Sequence, residues 1–159
     1  MATLKKYFAI SFLAFVLFIT SCEPIQLFEQ NTIYPQHQWS SKEANKYQFN
    51  ITDTNAAYKI FFVIRHHNAY HYKNIWLQIN TTSPSDTVVK QILNLQLADD
   101  QKGWLGVGMD DVYDQRILIN AVPTKLKLGT YFFSVQHTMR EDPLQGVLST
   151  GIRVEKVKL

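Results

Sequence analysis

The chain of 159 residues holds one cysteine, six glycines and five prolines. A single cysteine excludes an internal disulfide, a CxxC redox pair and every cysteine-built zinc cluster. Charge is sparse too: 18% of residues are Asp, Glu, Lys or Arg, and the formal net charge is +3. So small and dispersed an excess gives no electrostatic footprint for nucleic acid. There is no long amphipathic helical pattern, internal repeat or low-complexity block. No nucleophile elbow, SxxK motif or CxxC thiol pair is present, so no enzyme is expected and no catalytic residue is assigned. Gly103-Trp104-Leu105-Gly106-Val107-Gly108 has a GxxGxG spacing, but no helical pattern follows it. A phosphate cradle needs strand, loop and helix, so no cofactor is expected.

What the chain does have is 46% apolar and 13% aromatic residues, with ten Phe and eight Tyr. That composition suits one folded domain rich in β-sheet. The N-terminus is distinct. Lys5 and Lys6 precede an uncharged stretch from Tyr7 to Thr20. As a helix it would span about 21 Å, short for a bilayer and right for the apolar core of a signal peptide. Ile19-Thr20-Ser21-Cys22 then resembles the bacterial lipobox, an aliphatic residue and two small ones before a cysteine. That resemblance implies a signal peptide over residues 1–21 and a diacylglycerol-bearing, N-acylated Cys22. Two or more acyl chains give stable anchoring where one does not. Removing Lys5 and Lys6 leaves 14 basic residues against 13 acidic ones, a net charge of about +1.

Residues 22–38, with two prolines and no sustained period, read as the lipidated cysteine and a tether; residues 39–159 read as the domain. Ser40-Ser41-Lys42-Glu43 suggests one capped helical turn. Beyond it strand signals dominate. Tyr47, Phe49 and Ile51 alternate with Lys46, Gln48 and Asn50. Further strands are predicted at 58–65, 74–81, 87–97, 113–120, 129–138 and 151–157, separated by turn chemistry such as Asp53-Thr54-Asn55 and Ser83-Pro84-Ser85-Asp86. About seven strands without a long helix predict an all-β fold, a single antiparallel β-sandwich of immunoglobulin-like or jelly-roll-like type. Ile60-Phe61-Phe62-Val63-Ile64 and Tyr131-Phe132-Phe133 are apolar on both faces. A two-layer sandwich buries one face of each sheet, so the other needs a cover: the protein's own tether and loops, or a docked partner.

Candidate chemistry is thin. His66 and His67 would face opposite sides of a strand and cannot share a metal; His67 and His71 can, but a solvated polar loop is the plainer reading. Asp99, Asp100, Asp110, Asp111 and Asp114 bracket the glycine loop, with spacing unlike any calcium loop, so no metal site is expected. Trp39, Trp76 and Trp104 would suit a sugar-stacking platform if exposed, and a packed core if not. Aromatics on glycine-supported loops make good contact anchors, which singles out Tyr70, Tyr72, Trp104, Asp111, Tyr113 and Asp114 as candidate partner contacts.

Four stretches then carry a resemblance: Arg65 to Leu77, Gly103 to Asp114, Gly129 to Arg140, and Leu144 to Glu155. Their order and spacing, with the N-terminal lipobox, are similar to the gliding-motility lipoprotein GldH family of Bacteroidota. The resemblance implies a non-enzymatic lipoprotein of the cell envelope that supports gliding motility, a process linked to type IX secretion. It implies a membrane anchored through Cys22, with the outer membrane as the expected location, and protein partners in an envelope complex. A carbohydrate-binding envelope module is the alternative.

Overall fold

A computed structural model describes residues 26–157. The expected signal peptide and Cys22 lie outside the described residues. Fourteen strands and no helix occur among them: β1 (Gln26–Ile33), β2 (Gln38–Trp39), β3 (Asn45–Ile51), β4 (Ala57–His67), β5 (Asn74–Thr82), β6 (Val89–Gln96), β7 (Ala98–Asp99), β8 (Gly103–Trp104), β9 (Val107–Met109), β10 (Val112–Leu118), β11 (Thr124–Lys125), β12 (Gly129–His137), β13 (Leu144–Gln145) and β14 (Val147–Val157). Every pairing is antiparallel. The chain is all-β, as its alternating patterns predict.

Two open sheets carry the core. One runs β1-β14-β4-β10-β9, with β11 added beside β4, and the other runs β3-β12-β5-β6. Two ribbons, β13-β2 and β7-β8, complete the set. Strand β3 shows why the layers pack: Tyr47, Phe49 and Ile51 are buried while Lys46, Gln48 and Asn50 are exposed. The period of two puts one apolar face inward. Phe62, Ile64, Ile152 and Val154 of the first sheet share a core with Phe49, Ile75, Leu77, Ile79 and Phe133 of the second. The Phe28 and Phe49 rings meet across the layers at 5.6 Å. The Tyr47 hydroxyl donates to the Thr150 carbonyl at 2.9 Å, pinning the second sheet to the first.

Three expectations change. Residues 26–33, read as tether, form β1, an edge strand in register with β14 from Phe28↔Val154 to Ile33↔Ser149. The segment is polar because an edge strand has little to bury; main-chain pairing holds it. Ser40 to Glu43 make a turn, closed by Glu43 N to Ser40 O at 3.0 Å, not a helix. The glycine loop is folded too, as the ribbon β7-β8 and the strand β9.

The outer face of β4 is covered in part from the segment read as tether, through Glu29 of β1 and the arginines it binds. Val63 faces outward between Gly151 on β14 and Arg116 on β10, yet is buried. Arg116 reaches toward Glu29 on β1, and Arg153 binds Glu29 at 2.6 Å and Glu155 at 2.6 Å. The arginine stems lie over the apolar strand and keep their charged heads among carboxylates. Beside it, Gly151 lets β1 approach closely: a Cβ there would lie 1.9 Å from Asn31 Oδ1 and 2.4 Å from the Gln30 carbonyl oxygen. On the other sheet, Phe132 has no such cover and is exposed.

Candidate functional site

The site starts at the end of β4. Tyr58, Ile60, Phe62 and Ile64 point inward, and the same alternation turns His66 into the interior, fully buried. Its Nδ1 donates to the His67 carbonyl at 2.9 Å. The ring is therefore the Nδ1–H tautomer, and Nε2 has no hydrogen-bond partner among the described residues. Burial holds this imidazole below its ordinary value and keeps it neutral.

Aromatic rings surround it. Trp104 meets His66 edge-on at 4.6 Å between centroids, Tyr70 lies at 5.5 Å, and Tyr113 stacks at 5.8 Å with an interplanar angle of 19°. Tyr72 stands edge-on to Tyr70 at 5.9 Å. Trp104 and Tyr113 are placed by turns and glycines. The β7-β8 turn that delivers Trp104 is tied by Asp99 Oδ1, which accepts the amides of Gln101 at 2.8 Å and Lys102 at 3.1 Å. Gly106 has φ +111, and a Cβ there would lie 2.5 Å from the Asp114 carbonyl oxygen. Gly108 sits opposite Tyr113 across β9 and β10, and a Cβ would lie 2.6 Å from its ring. The Tyr113 ring lies in the space that the missing side chain leaves open.

The acidic candidates are structural fasteners as well as surface groups. Asp111 accepts the Asn68 amide at 2.7 Å through its carbonyl and the Asn68 side chain at 2.8 Å through Oδ1, binding the 68–73 loop to the β9-β10 turn. Asp114 lies 3.7 Å from Arg65, and both are exposed. Asp100 pairs with Lys73. Among the described residues no three His, Cys, Asp or Glu side chains converge as a metal set. His71 instead lies 3.3 Å from Glu141. Burial opposes ionisation of Glu141, but bonds from Tyr72, the Gln145 amide and His71 outweigh it and hold the carboxyl below its ordinary range.

Tyr72, Trp104, Asp111, Tyr113 and Asp114 are thus gathered at one pole, half-buried or exposed. Tyr70 is a correction: it is buried, with its hydroxyl donating to the Asn74 carbonyl at 3.1 Å, and burial pushes the phenol up. It supports the pole and does not face a partner. His66 was missed as the hub. The signal was there, since it continues the inward series from Tyr58.

Parts of all four stretches that carry the resemblance reach this pole, although the Gly129 and Glu155 ends of the last two lie at the far end of the sheets. Arg65 to Leu77 and Gly103 to Asp114 meet around His66. A Cβ on Gly146 would lie 3.2 Å from Tyr70 Cα, and the Trp76 amide donates to Met139 Sδ at 3.3 Å. The GldH lipoprotein family model matches residues 26–154. The chain belongs to the GldH lipoprotein family. A gliding motility lipoprotein GldH homolog of Christiangramia forsetii is 24% identical over 152 residues, covering 91% of this chain and 93% of its own. The gliding motility lipoprotein GldH of Flavobacterium johnsoniae is 23% identical over 147 residues, covering 88% and 91%. Membership in GldH makes the chain a lipoprotein associated with a membrane of the cell envelope.

Proposed function

We propose that this GldH-family chain is anchored through an acylated Cys22, in the outer membrane, and supports gliding motility and type IX secretion by binding envelope proteins. It acts without catalysis. The contact surface is the pole bearing Tyr72, Trp104, Asp111, Tyr113 and Asp114. The reading is supported above all by the meeting of two family stretches, Arg65 to Leu77 and Gly103 to Asp114, at that pole, where rings rest on glycines and a buried histidine. Rigid aromatics carry binding energy at low entropic cost. Crosslinking in living cells followed by mass spectrometry tests it. Trp104→Asp and, because Trp104 packs on His66, the exposed-site variant Val107→Asp should each lose crosslinks and colony spreading while membrane fractionation is kept. Normal spreading by both folded variants would overturn the surface.

A second reading has one observation in its favour. None of β3, β5, β6 and β12 contains an Asp or Glu. Their outer face exposes Trp76 and Phe132 among Gln48, Gln78, Asn80 and Asn94. A face of amides and rings that carries Lys46 and Lys90 but no carboxylate suits a polyol such as a glycan. Trp39 is no part of it, being buried with its indole N–H on the Glu43 carbonyl at 3.0 Å. Quenching of tryptophan emission by soluble oligosaccharides, lost in Trp76→Ala, would favour this reading; no response to oligosaccharides would remove it.

A further inference from the structure

The start of β1 at Gln26 leaves three residues between Cys22 and the folded domain. Four peptide steps reach at most about 14 Å, whereas a tether running to residue 38 would reach about 60 Å. A membrane that holds Cys22 therefore lies close against the pole where β1 begins.

That pole is defined by strand register. Gln26 pairs with Glu155, and Ala57 pairs with both Val157 and Lys125. Ile51 pairs with Gly129 at the same end of the second sheet. Three loops meet here. Lys156 Nζ lies 2.8 Å from Asp53, and Lys127 Nζ lies 2.7 Å from Asp86. Three apolar side chains project from these loops: Val88 is 59% exposed, Val122 65% and Leu128 64%. Lys125 and Lys127 flank them and are exposed. The acidic cluster of Asp99, Asp100, Asp110, Asp111, Glu141 and Asp142 is at the opposite pole.

We propose that the β1-proximal pole is a second membrane contact, in which Val88, Val122 and Leu128 enter the boundary between acyl chains and headgroups while Lys125 lies at lipid phosphates and Lys127 stays with Asp86. The proposal rests on the acylation of Cys22 put forward above. Apolar tips with basic flanks bind an interface in this way, and the short tether supplies the high local concentration that weak insertion needs. The domain is then held upright, with the aromatic pole facing away from the bilayer. Strand β4, with 11 residues, sets that stand-off at roughly 35 Å.

The lone cysteine makes the test clean. In acylated protein the Cys22 thiol is closed, so Val122→Cys, Leu128→Cys and Val107→Cys each carry one free thiol for an environment-sensitive fluorophore. The labelled proteins are reconstituted in vesicles of phosphatidylethanolamine and phosphatidylglycerol. Labels at 122 and 128 should shift to the blue and lose emission to nitroxides on the lipid chains, and the label at 107 should do neither. Equal, water-like emission at all three positions on acylated protein would overturn the membrane contact alone. An intact mass without acyl chains, with a second reactive thiol at Cys22, would overturn the anchor and this contact together.

Discussion

The Arg116 guanidinium stands 3.9 Å from the Glu29 carboxylate although two strands, β14 and β4, lie between their own. Arg153, on one of the intervening strands, binds the same carboxylate at 2.6 Å. Glu29 therefore organises the cover over Val63. Glu29→Gln should cost about 1–3 kcal/mol, because its strongest bond is charge-assisted and mostly shielded from water. Urea denaturation measures this. A midpoint equal to that of the wild type would show the arginine layer to be ornamental.

Gly151→Ala should destabilise by about 1–3 kcal/mol, since the new methyl meets the Gln30 carbonyl as well as the Asn31 side chain. Pairing it with Asn31→Gly removes only the side-chain clash. The double variant should stay well below wild type in thermal melting, and full rescue would place the constraint in Asn31 instead.

Gly108→Ala acts differently, because what it meets is the Tyr113 ring, a side chain able to move. Stability should change by less than about 1 kcal/mol. The ring should leave its stack on His66, so crosslinking and spreading fall while the circular dichroism spectrum is kept. Unchanged function in this variant would remove Tyr113 from the contact surface.

Burial holds His66 and His137 below the ordinary imidazole value of 6.5. His66 is also near Asp114 and His67, and His137 is near Asp142 and Glu141. Above 6.5 both rings are neutral whether the chain is folded or not, and the stability they permit is complete. Below it the unfolded chain takes up protons that the folded one resists. Stability is then lost, by at most about 1.4 kcal/mol per pH unit for each ring, until the folded values are reached. Denaturation midpoints at about pH 7.5 and about pH 5.5 should differ in that direction, and His137→Gln should flatten the slope. Equal midpoints would mean that the imidazoles are not shielded.

Where a strand buries one face, its pattern was plain: Tyr47, Phe49 and Ile51 announced β3. Strand β1 was hidden because Gln26 to Ile33 owes its place to pairing with β14, and main-chain pairing leaves no mark on composition. The cover over Val63 was hidden for a related reason. It needs an arginine, a glutamate and a glycine from β10, β1 and β14, and that alignment exists only after the strands pair. At the site, the glycine loop and its aromatics were legible as a unit. The burial of Tyr70 was not, since it depends on Gly146 closing over it from far along the chain.

Tyr34, Asn45 and Thr150 form a small polar knot in an otherwise oily interior: the Tyr34 and Thr150 hydroxyls are 2.8 Å apart, and the Asn45 amide donates to both. Oil permits sliding, whereas directional bonds have one good fit. The knot acts as an alignment pin between the two layers, so swapping all three for hydrocarbon would trade a single native arrangement for several neighbouring ones.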